Sequence, residues 1–338
     1  MSERPVPSAQ LLEHLQRRYR LSWAGDPVDL GGSSSLNLLL HDRRGDVVAR
    51  AHRHWLKPAR LTSIQAVRSA LRQADLPFAE PIPAVDGALW TRLGEHLVEV
   101  ERYANGEDMD SWPRLVTGMR MLGRVHSVLA GTAAGSAART SPAANQIDAR
   151  EALPSARRAV SAITTWARSD REWAAIDKTE TLAVRLHAAW QPFDGALPRQ
   201  LVHGDFWDNN VLFDAESIVL IVDLDFMAER ERIDDIALVL HYANSGSMLA
   251  RETSLAERQR RLRELVDAYD SGLDPHLTAT ERAAVPLAMA RIVLAYTRHL
   301  CQRAGESDQR DVLAAWSPDL DWSLEIVRDL GCWQEAFA

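Results

Sequence analysis

Lysine is almost missing from this chain. Only Lys57 and Lys178 are present, and the rest of its 39 basic residues are arginine. A phosphate clamp made by basic side chains is therefore built from guanidinium, a planar fork that donates in pairs, and not from an ammonium point charge. Cysteine is nearly as scarce: Cys301 and Cys332 are too few for a disulfide framework and lack metal-ligand spacing. No apolar run approaches the roughly 20 residues that span a bilayer. Met1 to Gln10 is polar and proline-bearing, without the apolar stretch of a signal peptide. A cytoplasmic protein with reduced thiols and no membrane partner is the expectation. Positive charge is also short. The formal net charge of −8 argues against nucleic acid, which needs a basic face, and suits a cationic small molecule.

What is present is ordinary globular material: 338 residues, 46% hydrophobic and 25% charged, enough for about two domains at roughly 100–200 residues each. Leu11, Leu12, Leu15 and Tyr19 share one face at helical spacing, with Ser8 as a cap. Strand-like runs follow at Val28–Leu30, Leu36–His41 and Val47–Ala51. The first two are joined by Gly31-Gly32-Ser33-Ser34-Ser35, where small residues let backbone N–H groups approach phosphate oxygens. A helix is expected at about Leu61 to Gln73. A proline-rich connector then leads to a hairpin, Leu89–Leu93 with His96–Glu101. Beyond it the pattern is mainly helical: Leu115–Leu129, then segments near Ser155–Ser169, Asp170–Trp190, Asp234–Ala243, Leu255–Ser271, Thr278–Gln302 and Ser307–Ala315. Thr132–Ala144 reads as a loop.

The most informative stretch is His203-Gly204-Asp205-Phe206-Trp207-Asp208-Asn209-Asn210, followed by Ile221-Val222-Asp223-Leu224-Asp225. Val211–Phe213 and Ile218–Val222 read as a hairpin turning at Asp214–Ser217. Its ends would bring the Asp205 and Asn210 side chains together with Asp223. Two carboxylates and a carboxamide oxygen suit a hard divalent cation beside a base, as phosphoryl transfer requires.

The spacing H-G-D-x4-N, then an apolar strand ending in Asp, resembles the catalytic segment of the aminoglycoside phosphotransferase and choline kinase superfamily, with homoserine-kinase-like wording around it. The resemblance implies an α+β, two-lobed protein-kinase-like fold: a small antiparallel-sheet lobe over 1–103 and a larger, mainly helical lobe over 104–338. It implies ATP and Mg²⁺ as cofactors, with Asp205 as the base that accepts the acceptor hydroxyl's proton. Asn210 and Asp223 match the metal-binding positions, and His203 matches a position that shapes the loop. Gly31, Gly32, Ser33 and Ser34 match the phosphate-covering loop. Arg50 stands where a strand lysine usually contacts the nucleotide phosphates. The segment from Val100 to Tyr103, with Glu101 and Tyr103 as its candidates, matches the crossing whose backbone binds adenine.

The expected helix at Leu61–Gln73 contains no acid to pair with Arg50. Gln65 is the nearest polar candidate, or the pairing is absent. Trp207 and Asp208 would lie beside the acceptor. Asp225 would touch a second metal or hydrogen-bond the loop. Asp235 would brace the catalytic loop and also sit at a helix N-terminus. His126 reads as a packed or surface histidine and not as a catalytic one. The implied activity is transfer of the γ-phosphoryl group to a hydroxyl of a small molecule, first a cationic antibiotic or amino-bearing natural product. The alternatives are a small-metabolite kinase (homoserine, choline or a sugar) and a nucleotide-binding pseudokinase regulator.

Overall fold

The computed structural model describes the chain except residues 1–3, 33–34, 55, 134, 141–145, 246–247 and 250–252. The first half runs α1 (Ala9–Tyr19), β1 (Trp23–Asp29), β2 (Leu36–Asp42), β3 (Val47–Ala51), α2 (Pro58–Gln73), β4 (Thr91–Leu93), β5 (His96–Arg102), α3 (Trp112–Gly131), α4 (Ala149–Thr164) and α5 (Asp170–Trp190). The second half runs β6 (Arg199–Val202), β7 (Val211–Asp214), β8 (Ser217–Ile221), β9 (Ala228–Glu231), α6 (Ile233–Ser245), α7 (Leu255–Gly272), α8 (Ala279–Arg291), α9 (Ala295–Cys301), α10 (Glu306–Arg328) and α11 (Leu330–Phe337). Two compact units result. One comprises Met1–Asp108, Ala133–Ala138 and Val211–Val222, and the other holds the rest.

The first unit is built on an antiparallel sheet of order β1-β2-β3-β5-β4. Strand alternation gives it two unlike faces. Leu36, Leu38 and Leu40 of β2, Val47, Ala49 and Ala51 of β3, and Val98 and Val100 of β5 pack with Leu11, Leu15 and Tyr19 of α1. Ser8 caps α1, its hydroxyl accepting from the Leu11 N–H at 3.2 Å. The opposite face mixes the buried apolar side chains of Leu39, Val48 and Leu97 with a polar row. Asn37 pairs with Arg50, and Arg50 with Glu99, forming a row across three strands. The β7–β8 hairpin joins this unit through its backbone. Phe213 and Glu107 exchange two hydrogen bonds of 2.8 Å, and the Ile221 N–H donates to Pro77 O at 2.6 Å. A single dividing line at 103/104 does not describe that arrangement, because the hairpin returns to the first unit from a distant part of the chain.

In the second unit α3 packs on α7, α4 on α5, and α6 on α8, while β6 and β9 form a short antiparallel ribbon. That ribbon carries no apolar run and had no sequence expectation. The expected helix over Thr278–Gln302 is interrupted by a tighter turn at Ile292–Leu294. The expected helix at Ser307–Ala315 runs on to Arg328 through Pro318. Proline removes one backbone hydrogen bond there, and burial of Trp316, Leu320 and Ile326 outweighs that loss. A last helix, α11, buries Trp333 and Phe337.

Candidate active site

The Asp205 loop leaves β6 at Val202 and is held by one buried carboxylate. Asp235, in the first turn of α6, accepts from the His203 N–H at 2.8 Å and from the Gly204 N–H at 3.0 Å. Its other partners are Gln146 Nε2 at 2.9 Å and His126 Nε2 at 3.1 Å. His126 is fixed in turn by the Tyr269 hydroxyl, 2.7 Å from its Nδ1. His126 is thus fully buried and acts through packing and hydrogen bonding. Burial alone would raise the Asp235 carboxyl, but the hydrogen bond and charge of His126 hold it below the usual carboxylate range. Gly204 has φ +85°, and a Cβ there would overlap the Phe226 carbonyl, so the turn admits no side chain. Its neighbour Asp234 takes a separate role, accepting from Arg291 Nη2 at 2.5 Å.

Asn210 closes the loop onto Asp205. Its Nδ2 donates to the Asp205 backbone oxygen at 2.8 Å and to Asp205 Oδ2 at 3.0 Å, and its own N–H donates to Trp207 O at 2.9 Å. With the amide nitrogen committed to Asp205, the amide oxygen is the group left for a cation. Asp223 is left-handed, at φ 65° and ψ 70°, and its Oδ1 accepts from the Asp225 N–H at 3.1 Å. The pairing of Val211 with Ile221 fixes the spacing between the two flanking segments that end at Asn210 and begin at Asp223. Asp205, Asn210 and Asp223 are all half-buried. The Asn210 amide oxygen and the Asp223 carboxylate are hard oxygen donors of the kind Mg²⁺ takes, with water and phosphate for its remaining positions. Among the described residues, no group of three His, Cys, Asp or Glu side chains forms a fuller metal cage.

Trp207 stacks obliquely on Tyr242 of α6, ring centroids 5.1 Å apart. Asp208, at φ 39°, accepts from the Met109 N–H at 3.3 Å through its backbone oxygen. Around Tyr242 stand groups that the sequence did not single out as a set. Burial first, then the charges of Tyr296, Asp205 and Asp319, push the Tyr242 hydroxyl far up. One phenol thus lies within electrostatic reach of both the candidate base and an α10 carboxylate. Asp319 is 24% exposed and lies 3.7 Å from His241 Nε2. These residues come from α6, the segment around Tyr296 and α10, so no short motif could have joined them.

In the first unit, Gly31 and Gly32 have φ of 86° and 109°, and Ser33 and Ser34 lie outside the described residues. The loop is fastened at both ends by Arg4, which donates to Gly31 O at 3.0 Å and to Ser35 O at 3.1 Å. Arg50 lies in the polar row opposite Glu99. Gln65 does not stand in for a helix acid: its Nε2 donates to Glu99 Oε2 at 2.9 Å. The Glu101 carboxylate is buried and accepts from Arg68 Nη1 at 2.8 Å. The Tyr103 N–H donates to Asp46 O at 3.1 Å.

A five-stranded antiparallel unit and a larger, mainly helical unit make a protein-kinase-like fold, that of a phosphotransferase. The chain belongs to the phosphotransferase enzyme family (APH), whose model matches residues 27–274. No curated protein sequence gives a match. Among solved structures, a microcompartment-associated aminopropanol kinase is similar with a TM-score of 0.70 and 16% identity, over 96% of this chain and 99% of that one. Amicoumacin kinase, solved in complex with AMP-PNP, Ca²⁺ and Ami, is similar with a TM-score of 0.66 and 15% identity over 92% of both chains. An aminoglycoside phosphotransferase from Alicyclobacillus acidocaldarius gives a TM-score of 0.63 and 14% identity, over 99% of this chain and 98% of that one. At these identities the likeness is one of fold.

Proposed function

We propose that this phosphotransferase moves the γ-phosphoryl group of ATP to a hydroxyl of a small, amino-bearing molecule. The observation that supports this best is the placement of Asp205. It is half-buried and tied to Asn210, and its charge acts with that of Asp319 on the Tyr242 phenol. A carboxylate so held can orient an alcohol and take its proton as the oxygen attacks. Asn210 and Asp223 would hold Mg²⁺, which supplies charge neutralisation on the transferring phosphoryl oxygens. Arg50 and the Gly31–Ser35 loop would hold phosphates. Adenine would meet the backbone at Glu101 and Tyr103, where the Tyr103 N–H would have to leave Asp46. A cytoplasmic setting accords with that ATP supply.

For the acceptor, an amino-bearing antibiotic or other natural product comes first, and a small metabolite such as homoserine, choline or a sugar second. Trp207, Tyr242, Tyr296 and Asp319 support a cationic group, because ring faces and a carboxylate both attract ammonium. One similar structure is, by name, a kinase of aminopropanol, an amino alcohol. Retention of Asp205, Asn210 and Asp223 favours an active enzyme over a regulator.

A transfer assay against amino alcohols, sugars and antibiotics tests the acceptor class. Asp205→Asn should lose about 10²- to 10⁴-fold in turnover while still binding ATP. Wild-type turnover in that variant would overturn the assignment. Asp223→Ala should weaken Mg·ATP binding more than Asn210→Ala, and calorimetry showing neither effect would remove the metal site. Asp319→Asn should raise KM for amino-bearing acceptors and leave neutral ones unchanged.

A further inference from the structure

The α2 helix carries no acid, yet it is aimed at one. Arg50 lies opposite Glu99 in the β3–β5 register, and opposed residues share a face with Cβ atoms about 5 Å apart. Glu99 is 2% exposed. Its Oε2 accepts from Arg68 Nη2 at 2.5 Å and from Gln65 Nε2 at 2.9 Å, both on α2. Its Oε1 lies 3.1 Å from His52 Nε2. Arg68 divides its fork, the other arm reaching Glu101 at 2.8 Å. The His52 Nδ1 lies 3.4 Å from the hydroxyl of Ser35, where the glycine–serine loop ends. The carboxylate opposite Arg50 is thus fixed from three sides, and the set that fixes it reaches both the loop and the Glu101 crossing.

We propose that Glu99 is the positioning residue for Arg50. Strand β5 supplies the acid that the helix lacks, and the helix supplies the guanidinium and amide that immobilise the acid. This rests on the reading of Arg50 as a phosphate ligand. A guanidinium can present one edge to a carboxylate and another to phosphate, so Glu99 sets the direction in which Arg50 points. The half-buried Arg50 and the buried Arg68 and His52 surround Glu99, with Glu101 as the second carboxylate of the set. Without the Glu99 charge, Arg50 would keep its own but lose its fixed aim.

The test is ATP and adenosine affinity, ATP KM, kcat and thermal midpoint for R50A, E99Q, E99D and the R50A/E99Q double variant. R50A and E99Q should each weaken ATP about tenfold, mainly in KM, and leave adenosine unchanged. The double variant should be no worse than R50A, since the two act through one group. E99D keeps the buried charge should E99Q fail to fold; it should raise KM about threefold at a near-normal midpoint. Unchanged ATP binding in R50A would overturn the phosphate reading and this proposal together. Weakened ATP in R50A with unchanged binding in E99D and a folded E99Q would overturn this proposal alone. Additive losses in the double variant, or equal losses of adenosine and ATP, would also overturn it, by assigning Glu99 to holding the sheet.

Discussion

Two buried carboxylates, one in each unit, solve different problems with similar means. Asp235 receives backbone: its oxygens take the N–H groups of His203 and Gly204, so it fixes a loop's path. Glu99 receives side chains: Arg68, Gln65 and His52 converge on it, so it fixes a charge opposite Arg50. Both carboxyls are held below their ordinary range against burial. For Asp235 the hydrogen bond and charge of His126 do this first, and for Glu99 the charge of Arg68 does. The difference teaches where a substitution should be felt. Removing Asp235 frees two backbone N–H groups and the loop they belong to. Removing the partner of Glu99 strands charge.

The sharpest break in the comparison is Asp235→Ala, which leaves two loop N–H groups, Gln146 and His126 without their shared acceptor. We expect a loss of about 3–5 kcal/mol in denaturant unfolding, together with near-complete loss of transfer. Retained turnover would show that the loop holds its path unaided. Arg68→Met comes next. It buries Glu99 and Glu101 without their cation and should cost about 3 kcal/mol. A midpoint within a degree of the parent would mean that Gln65 and His52 suffice. His126→Phe keeps the ring volume but removes one bond to Asp235 and one to Tyr269, and should cost about 1–2 kcal/mol, with kcat reduced less than in Asp235→Ala.

The smallest effect is on pH dependence. A carboxyl with a depressed folded pKa stabilises the fold above its unfolded value, near 4. That contribution disappears as pH falls through the lower folded value. Both Glu99 and Asp235 should therefore add to acid lability, and unfolding followed from pH 6 downwards should steepen. Asp235→Asn and Glu99→Gln should each flatten part of that slope. An unchanged acid limb in both would show that neither carboxyl carries the linkage.

The placement of Asp205, Asn210 and Asp223 at the two ends of a hairpin could be read from the chain because it is local: a fixed spacing, a short hairpin and a strand end. Asp235 could be read for the same reason, lying just beyond the hairpin. Glu99 could not. Val98 and Val100 alternate with Glu99 and Glu101, which reads as a strand with one wet face, whereas α2 covers that face with Arg68 and Gln65. The end of α10 was obscured by Pro318, which reads as a stop although the residues beyond it are buried. Tyr242, Tyr296 and Asp319 come from separate helical segments and share no local pattern.

The polar row Asn37–Arg50–Glu99 contains no amine. A guanidinium stays protonated in neutral water and is a poor nucleophile. Nucleotide probes that label kinases by acylating a strand lysine would find nothing to acylate at Arg50. In a survey based on such probes this enzyme would go unmarked, or be marked at the exposed Lys57 ahead of α2, whatever its turnover.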